Sequence, residues 1–180
     1  QATRTNITAV DGNVVLRGVL TNSINTSTAA INFYRNNGSS SGGSTHIQIL
    51  SQTGNIEISG DENGTGASGI YHASHGNVYI GSPEDASWIA TGDVRMIYSR
   101  LDPALANGIK VRTQGAVSYE PKGDSFTIAQ TIPVSANNVL AQDASSLTIG
   151  KPGNTANINI GQAQTIAGDF TLHGGALALN

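Results

Sequence analysis

The sequence contains no cysteine, and only 12% of its residues are charged. Without cysteine there are no disulfides, no thiolate chemistry and no cysteine-ligated zinc, and the compartment stays open. Nine Lys and Arg stand against twelve Asp and Glu, a formal net charge of −3, with no basic tract to neutralise phosphates. This argues against nucleic acid as a partner. No apolar run is long enough to cross a bilayer as a helix, and no basic amphipathic stretch would lie on one, so membrane insertion is not expected. Aromatics make up 5% of the chain, with a single Trp and a single Met. The chain begins at Gln1 without Met, which reads as a processed product or an excised fragment.

What the chain has instead is small polar residues. It carries 22 Gly together with abundant Asn, Ser and Thr. Low charge separates it from disordered chains, whose net charge is high. Its apolar residues alternate with period 2. "GNVVLRG" (Gly12 to Gly18), "GNIEISG" (Gly54 to Gly60) and "GDFTLHG" (Gly168 to Gly174) share one form, Gly-[Asn/Asp]-apolar-x-apolar-x-Gly. "NVYIGSP" (Asn77 to Pro83), "SLTIGKP" (Ser146 to Pro152) and "NINIGQA" (Asn157 to Ala163) end on glycine one residue sooner. "HIQILS" (His46 to Ser51) and "GDVRMIYS" (Gly92 to Ser99) are strands of the same length. The Gly-Asn and Gly-Asp pairs are expected to turn the chain through positive φ, leaving the apolar side chains on one face.

Near the C-terminus the units start at Ser145, Ala156 and Gly168, spacings of 11 and 12 residues. Helical signals are confined to Ser99 to Gly108 and Pro83 to Ala90. The stretches Asn36 to Thr45 and Gly60 to Gly69 read as exposed loops. The organisation expected is an N-terminal shaft-like β region over 1–60, a middle β region with loops and most aromatics over 61–135, and a repetitive β segment over 136–180.

A unit with so few apolar residues cannot build a core by itself and must stack on neighbours or on sister chains. The fold class is all-β. The arrangement expected is an elongated, intertwined homotrimer of short strands, β-prism or triple-β-helix-like, because an isolated chain would have a thin core. The alternative is a single-chain β-solenoid.

The run "SLTIGKPGNTANINIGQAQTIAGDFTLHGG", with its recurrent x-I-x-I-G beat, resembles the shaft and distal regions of tailed-bacteriophage tail fibre and tail spike proteins. The resemblance covers 140–180 well, 1–60 loosely and the middle hardly at all. It implies a trimeric, extracellular virion component that attaches to the host cell. Its partners would be bacterial surface polysaccharide or an outer-membrane protein, and other tail proteins.

Candidate chemistry is sparse. His72 and His75 sit three positions apart, and on a strand such side chains point to opposite faces, so no metal site is assigned. A polysaccharide-cleaving tail spike needs two carboxylates about 5–10 Å apart across a sugar. Asp61-Glu62 and Glu84-Asp85 are adjacent pairs in loop-like segments and read as solvated. No G-x-S-x-G nucleophile turn occurs, and "GSSSGGS" lacks the Lys of a phosphate loop. The chain is therefore not read as an enzyme, and no cofactor is called for.

The candidate receptor-binding residues are Trp88, Tyr71, Tyr98, His72 and His75. Aromatic faces flanked by Asn, Asp and Ser grip sugars and also anchor protein interfaces. The opposing expectation for Trp88 is burial in the core. The functional expectation is a structural and receptor-binding fibre segment. The alternatives are a depolymerising tail spike domain and a bacterial surface adhesin passenger.

Overall fold

The computed structural model describes residues 4–21, 29–33, 46–62, 68–72, 77–100, 108–133 and 137–179. Every regular element among them is a β-strand, and every pairing is parallel. The strands are β1 (Arg4–Ala9), β2 (Val14–Val19), β3 (Ala29–Phe33), β4 (His46–Ser51), β5 (Ile56–Asp61), β6 (Ser68–His72), β7 (Val78–Gly81) and β8 (Val94–Tyr98). They continue as β9 (Ile109–Arg112), β10 (Ala116–Glu120), β11 (Gln130–Thr131), β12 (Val139–Gln142), β13 (Ser146–Ile149), β14 (Ile158–Ile160), β15 (Asp169–Leu172) and β16 (Leu177–Leu179).

Strand order shows how the chain travels. The first face is β1-β4-β7-β9-β12 and the second is β2-β5-β8-β10-β13-β15. A third side is built from β3-β6 and from β11-β14-β16. Each strand pairs with the strand one circuit later, so the chain advances by coiling, each coil stacking on the last. Both large faces draw strands from all three regions expected from the sequence, and one core runs through them. The sequence-derived strands all appear at their expected places.

Register turns period-2 alternation into columns of like residues. On the second face one column runs Val14, Ile56, Val94, Val117, Leu147, Phe170. Its companion runs Leu16, Ile58, Met96, Tyr119, Ile149, Leu172. The first face contributes Ile7, Ile49, Ile80 and Val111. These columns meet inside the coil, where Ile49, Ile58, Ile80 and Leu147 have no exposed surface. Tyr119 donates its hydroxyl to the Leu140 carbonyl at 3.0 Å, tying the second face to the first. The expectation that strands so short need sister chains to bury their apolar side therefore does not hold. Successive coils of one chain do it, each buried aliphatic side chain contributing about 1.5–3 kcal/mol.

The corner glycines serve a purpose the sequence did not suggest. Gly12, Gly54, Gly92, Gly115 and Gly168 are not among the positive-φ residues, whereas the strand-ending Gly81 and Gly150 are, at φ 94° and 81°. The corner glycines are needed for close approach. A Cβ on Gly54 would stand 2.2 Å from the Gly12 carbonyl oxygen, and one on Gly92 would stand 2.1 Å from that of Gly54. On Gly115 it would stand 2.4 Å from the Gly92 oxygen, and on Gly168 1.7 Å from that of Ser145. Beside this column runs a side-chain ladder. Asn13 Oδ1 accepts the Asn55 N–H (2.8 Å), Asn55 Oδ1 the Asp93 N–H (2.9 Å), and Asp93 Oδ1 the Ala116 N–H (2.8 Å).

Two expectations fail locally. Pro83 to Ala90 forms turns and bends rather than helix. Gly60 and Asp61 belong to β5, and Ser68 and Gly69 to β6, all buried; they are not exposed loop. The other helical expectation, over Ser99 to Gly108, falls largely outside the described residues, as does the Asn36 to Thr45 loop.

Candidate binding surface

The outward side of the first face carries a connected set of polar and aromatic groups. Alternation sends Ile47 and Ile49 of β4 toward the core and His46 and Gln48 to the opposite side, where they too are buried, 8% and 3% exposed. Register then aligns Asn6, Gln48, Tyr79 and Lys110 in one row across β1, β4, β7 and β9. The segment 82–90 folds back over this row. Its entry is fixed by Ser82, whose hydroxyl donates to the Arg112 carbonyl (2.9 Å) and accepts the Ala90 N–H (2.9 Å).

Glu84 on this segment gathers the row. Its N–H donates to Gln48 Oε1 (3.0 Å), and Gln48 Nε2 donates onward to Asn6 Oδ1 (3.1 Å). The Tyr79 hydroxyl donates to Glu84 Oε1 (3.2 Å) and accepts from Asn77 Nδ2 (3.1 Å). His46 Nδ1 accepts the Asn77 N–H (3.3 Å), which leaves the proton on Nε2, 3.4 Å from Glu84 Oε1. The His46 and Tyr79 rings meet edge to face at 5.6 Å, and Lys110 Nζ lies 5.9 Å from the Tyr79 ring centroid. The result is a pre-set hydrogen-bonding surface around one carboxylate. Sequence reasoning did not single out His46 and read Glu84 as solvated. Only cross-coil register brings them together.

Trp88 lies on the same covering segment, half-buried and outside the core cluster. The expectation that it plugs the core is not met. Tyr98 is a correction in the other direction. It is 0% exposed and stacks on Phe126 at 5.3 Å between centroids, so no receptor reaches it. Burial and the neighbouring Tyr119 push its phenol pKa well up. Tyr71 and His72 sit in β6 opposite Asn32 and Phe33 of β3. His75 lies outside the described residues.

The carboxylates divide by environment. Asp61 is paired with Lys122, and Glu62 is 2% exposed, so the solvated reading of this pair is wrong. Burial raises the Glu62 pKa, with its own and the Ser99 backbone N–H and the Arg100 charge pulling the other way. On the second face, charges bridge coils: Arg17 to Glu57 (2.9 Å), Glu57 to Arg95 (3.7 Å) and Arg95 to Glu120 (2.7 Å). Burial would raise the Glu120 pKa, but hydrogen bonds from Arg95 and Ser118, with the charges of Arg95 and Lys151, outweigh it and hold it below the usual carboxylate range. A carboxylate depressed in the fold contributes stability fully above its unfolded value, and loses it as pH falls through the folded one. Glu120→Gln should therefore lower the thermal midpoint at neutral pH. The gap to wild type should close in strong acid, as differential scanning calorimetry across pH will read.

Among the described residues no group of His, Asp and Glu is arranged to hold a metal ion. A shallow groove of about 330 Å³ crosses β11, β14 and β16, lined by Thr131, Asn157, Asn159 and Ala178 among others. It spans the end of the middle region and the repetitive segment, and none of its lining residues was singled out as a candidate. Neither a family model, nor a curated protein, nor a solved structure matches the chain.

Proposed function

We propose that the chain is a structural and receptor-binding segment of an extracellular fibre, of the bacteriophage tail fibre kind, that presents the outer side of its first face to bacterial surface polysaccharide. The observation that carries this reading is the division of labour around the coil. The second face commits its charges to struts between coils, while on the first face Tyr79 and Lys110, beside the buried His46, meet the covering segment that bears Glu84 and Trp88. Half-buried rings beside fixed donors and acceptors suit sugar CH faces and hydroxyls. A homotrimer would present three such surfaces and supply avidity from weak single contacts.

The test is retention of the protein on host cells or on their purified surface polysaccharide. Trp88→Ala should reduce retention at least tenfold and leave the thermal midpoint near that of wild type. Undiminished retention would remove Trp88 and the first face from the reading. New reducing ends released from the polysaccharide would favour the depolymerising tail spike instead.

A bacterial surface adhesin passenger is the second reading. The specific observation behind it is that one chain closes its own core by stacking its coils. Sedimentation separates the two: a discrete trimer speaks for the fibre, its absence for the passenger.

A further inference from the structure

We propose that Glu84 stands in the place of a ligand, and that the sugar recognised beneath the covering segment carries both a carboxylate and an amide N–H, as an N-acylated acidic sugar does. This rests on the polysaccharide-binding reading above and names the class of sugar. Side chains on the outward side of a coiled sheet ordinarily meet solvent, yet His46 and Gln48 are buried there. The segment 82–90 covers them, and Glu84 supplies groups that meet both. From one residue it offers two functions. Its backbone N–H donates to Gln48 Oε1 at 3.0 Å. Its carboxylate accepts from the Tyr79 hydroxyl at 3.2 Å and faces His46 Nε2 at 3.4 Å. A neutral sugar hydroxyl can replace the donor but not the charged acceptor, whose hydrogen bonds are the stronger kind. An amide N–H and a carboxylate on neighbouring ring carbons replace both.

The cations of the coil agree. Arg17, Arg95, Arg112 and Lys122 each have a carboxylate partner. Lys110 has none among the described residues. Its ammonium lies 5.9 Å from the Tyr79 ring centroid, and Lys110 is in register with Tyr79 in the row that the segment covers. A ligand that displaced Glu84 without a negative charge of its own would leave this side of the sheet with a cation and no anion, and complementarity would be lost.

The segment can lift without unravelling the coil. Ser82 pins its two ends together by accepting the Ala90 N–H, and the Ala90 carbonyl is held again by the Gln114 N–H (2.8 Å) and the Thr113 hydroxyl (3.2 Å). Between these pins Asp85, Ala86 and Ser87 are exposed. Ala86 is held at φ 52°, a region costly for a residue with a side chain. Lifting exchanges the bonds of Glu84 for those of the sugar and frees Ala86 from that conformation.

NMR titration of the protein with free sugars tests the proposal. The probes are N-acetylmuramic acid, which has both groups, N-acetylglucosamine, which has the amide, glucuronate, which has the carboxylate, and glucose, which has neither. Wild type should bind N-acetylmuramic acid most tightly. Glu84→Ala removes the internal carboxylate and keeps the N–H to Gln48, so it should bind N-acetylmuramic acid at least about tenfold more tightly than wild type. Glu84→Gln, which keeps the side-chain shape, should shift the same way by a smaller factor. Lys110→Met should lose the preference for the acidic probes and keep the wild-type thermal midpoint. Equal binding of all the probes, or no gain in either Glu84 variant, overturns the proposal, and so does a folded Glu84→Ala protein that binds none of them. Trp88-dependent retention on host polysaccharide alongside any of those results would keep the wider reading and remove only this subsite. Loss of that retention with the acidic sugars still bound would do the reverse.

Discussion

Gly92→Val is expected to abolish the native fold, with a loss of about 4 kcal/mol or more in urea denaturation. A Cβ at this position would stand 2.1 Å from the Gly54 carbonyl oxygen, 2.5 Å from its carbon and 3.1 Å from the Asn55 nitrogen, all backbone atoms. No rotamer change relieves such a contact. Relief requires the third coil to lift from the second. That lift breaks the Asp93 N–H to Asn55 Oδ1 bond (2.9 Å) and the Ile56 N–H to Asp93 carbonyl bond (2.8 Å). It also opens the column that joins Ile56 to Val94. Gly12→Val makes the same change of residue type in the same corner motif, but there a Cβ would meet nothing within 4 Å. It should stay within about 0.5 kcal/mol of wild type. Equal losses in both variants would mean that backbone freedom, not coil-to-coil approach, selects the corner glycines.

Ile58→Ala should cost about 2–5 kcal/mol, the range for removing a buried aliphatic side chain and leaving a cavity. Ile58 is fully buried between Leu16 below and Met96 above in its column. Each coil rests only on its neighbours, so the damage should spread along the stack from the site of injury. Amide hydrogen exchange should quicken first in β2, β5 and β8, while β13 and β15 keep more of their protection. Uniform acceleration from end to end would show that the coils unfold as one cooperative block. Ser59→Ala, on the outward side of the same strand, provides the comparison and should change stability by less than about 1 kcal/mol.

The strands were legible because period 2 with a β-branched bias is a local signal. "NIEIS" and "GDVRMIY" carry it without reference to anything else in the chain. The candidate surface was much less legible. His46 and Glu84 are 38 positions apart, counting from 46 to 84, and sit in segments with no motif between them. Their proximity comes from parallel register, which places Asn77 opposite His46 and lets the segment 82–90 fold back over both. Tyr98 misled for a related reason. In "RMIYS" it follows the inward beat of Val94 and Met96, and its ring meets Phe126 from the next coil.

From its sequence alone this chain was bound to be an all-β protein of short strands turned at Gly-Asn and Gly-Asp corners, lacking thiol chemistry and a strong electrostatic field. Those properties follow from composition and nearest-neighbour pattern, which every local stretch carries within itself. Whether such strands stack on their own chain or on a sister chain is a question of which surface reaches them first. A strand with one apolar side is satisfied by any parallel neighbour in register. Tertiary structure decided it: the columns from Val14 to Phe170 stack within one chain, coil upon coil.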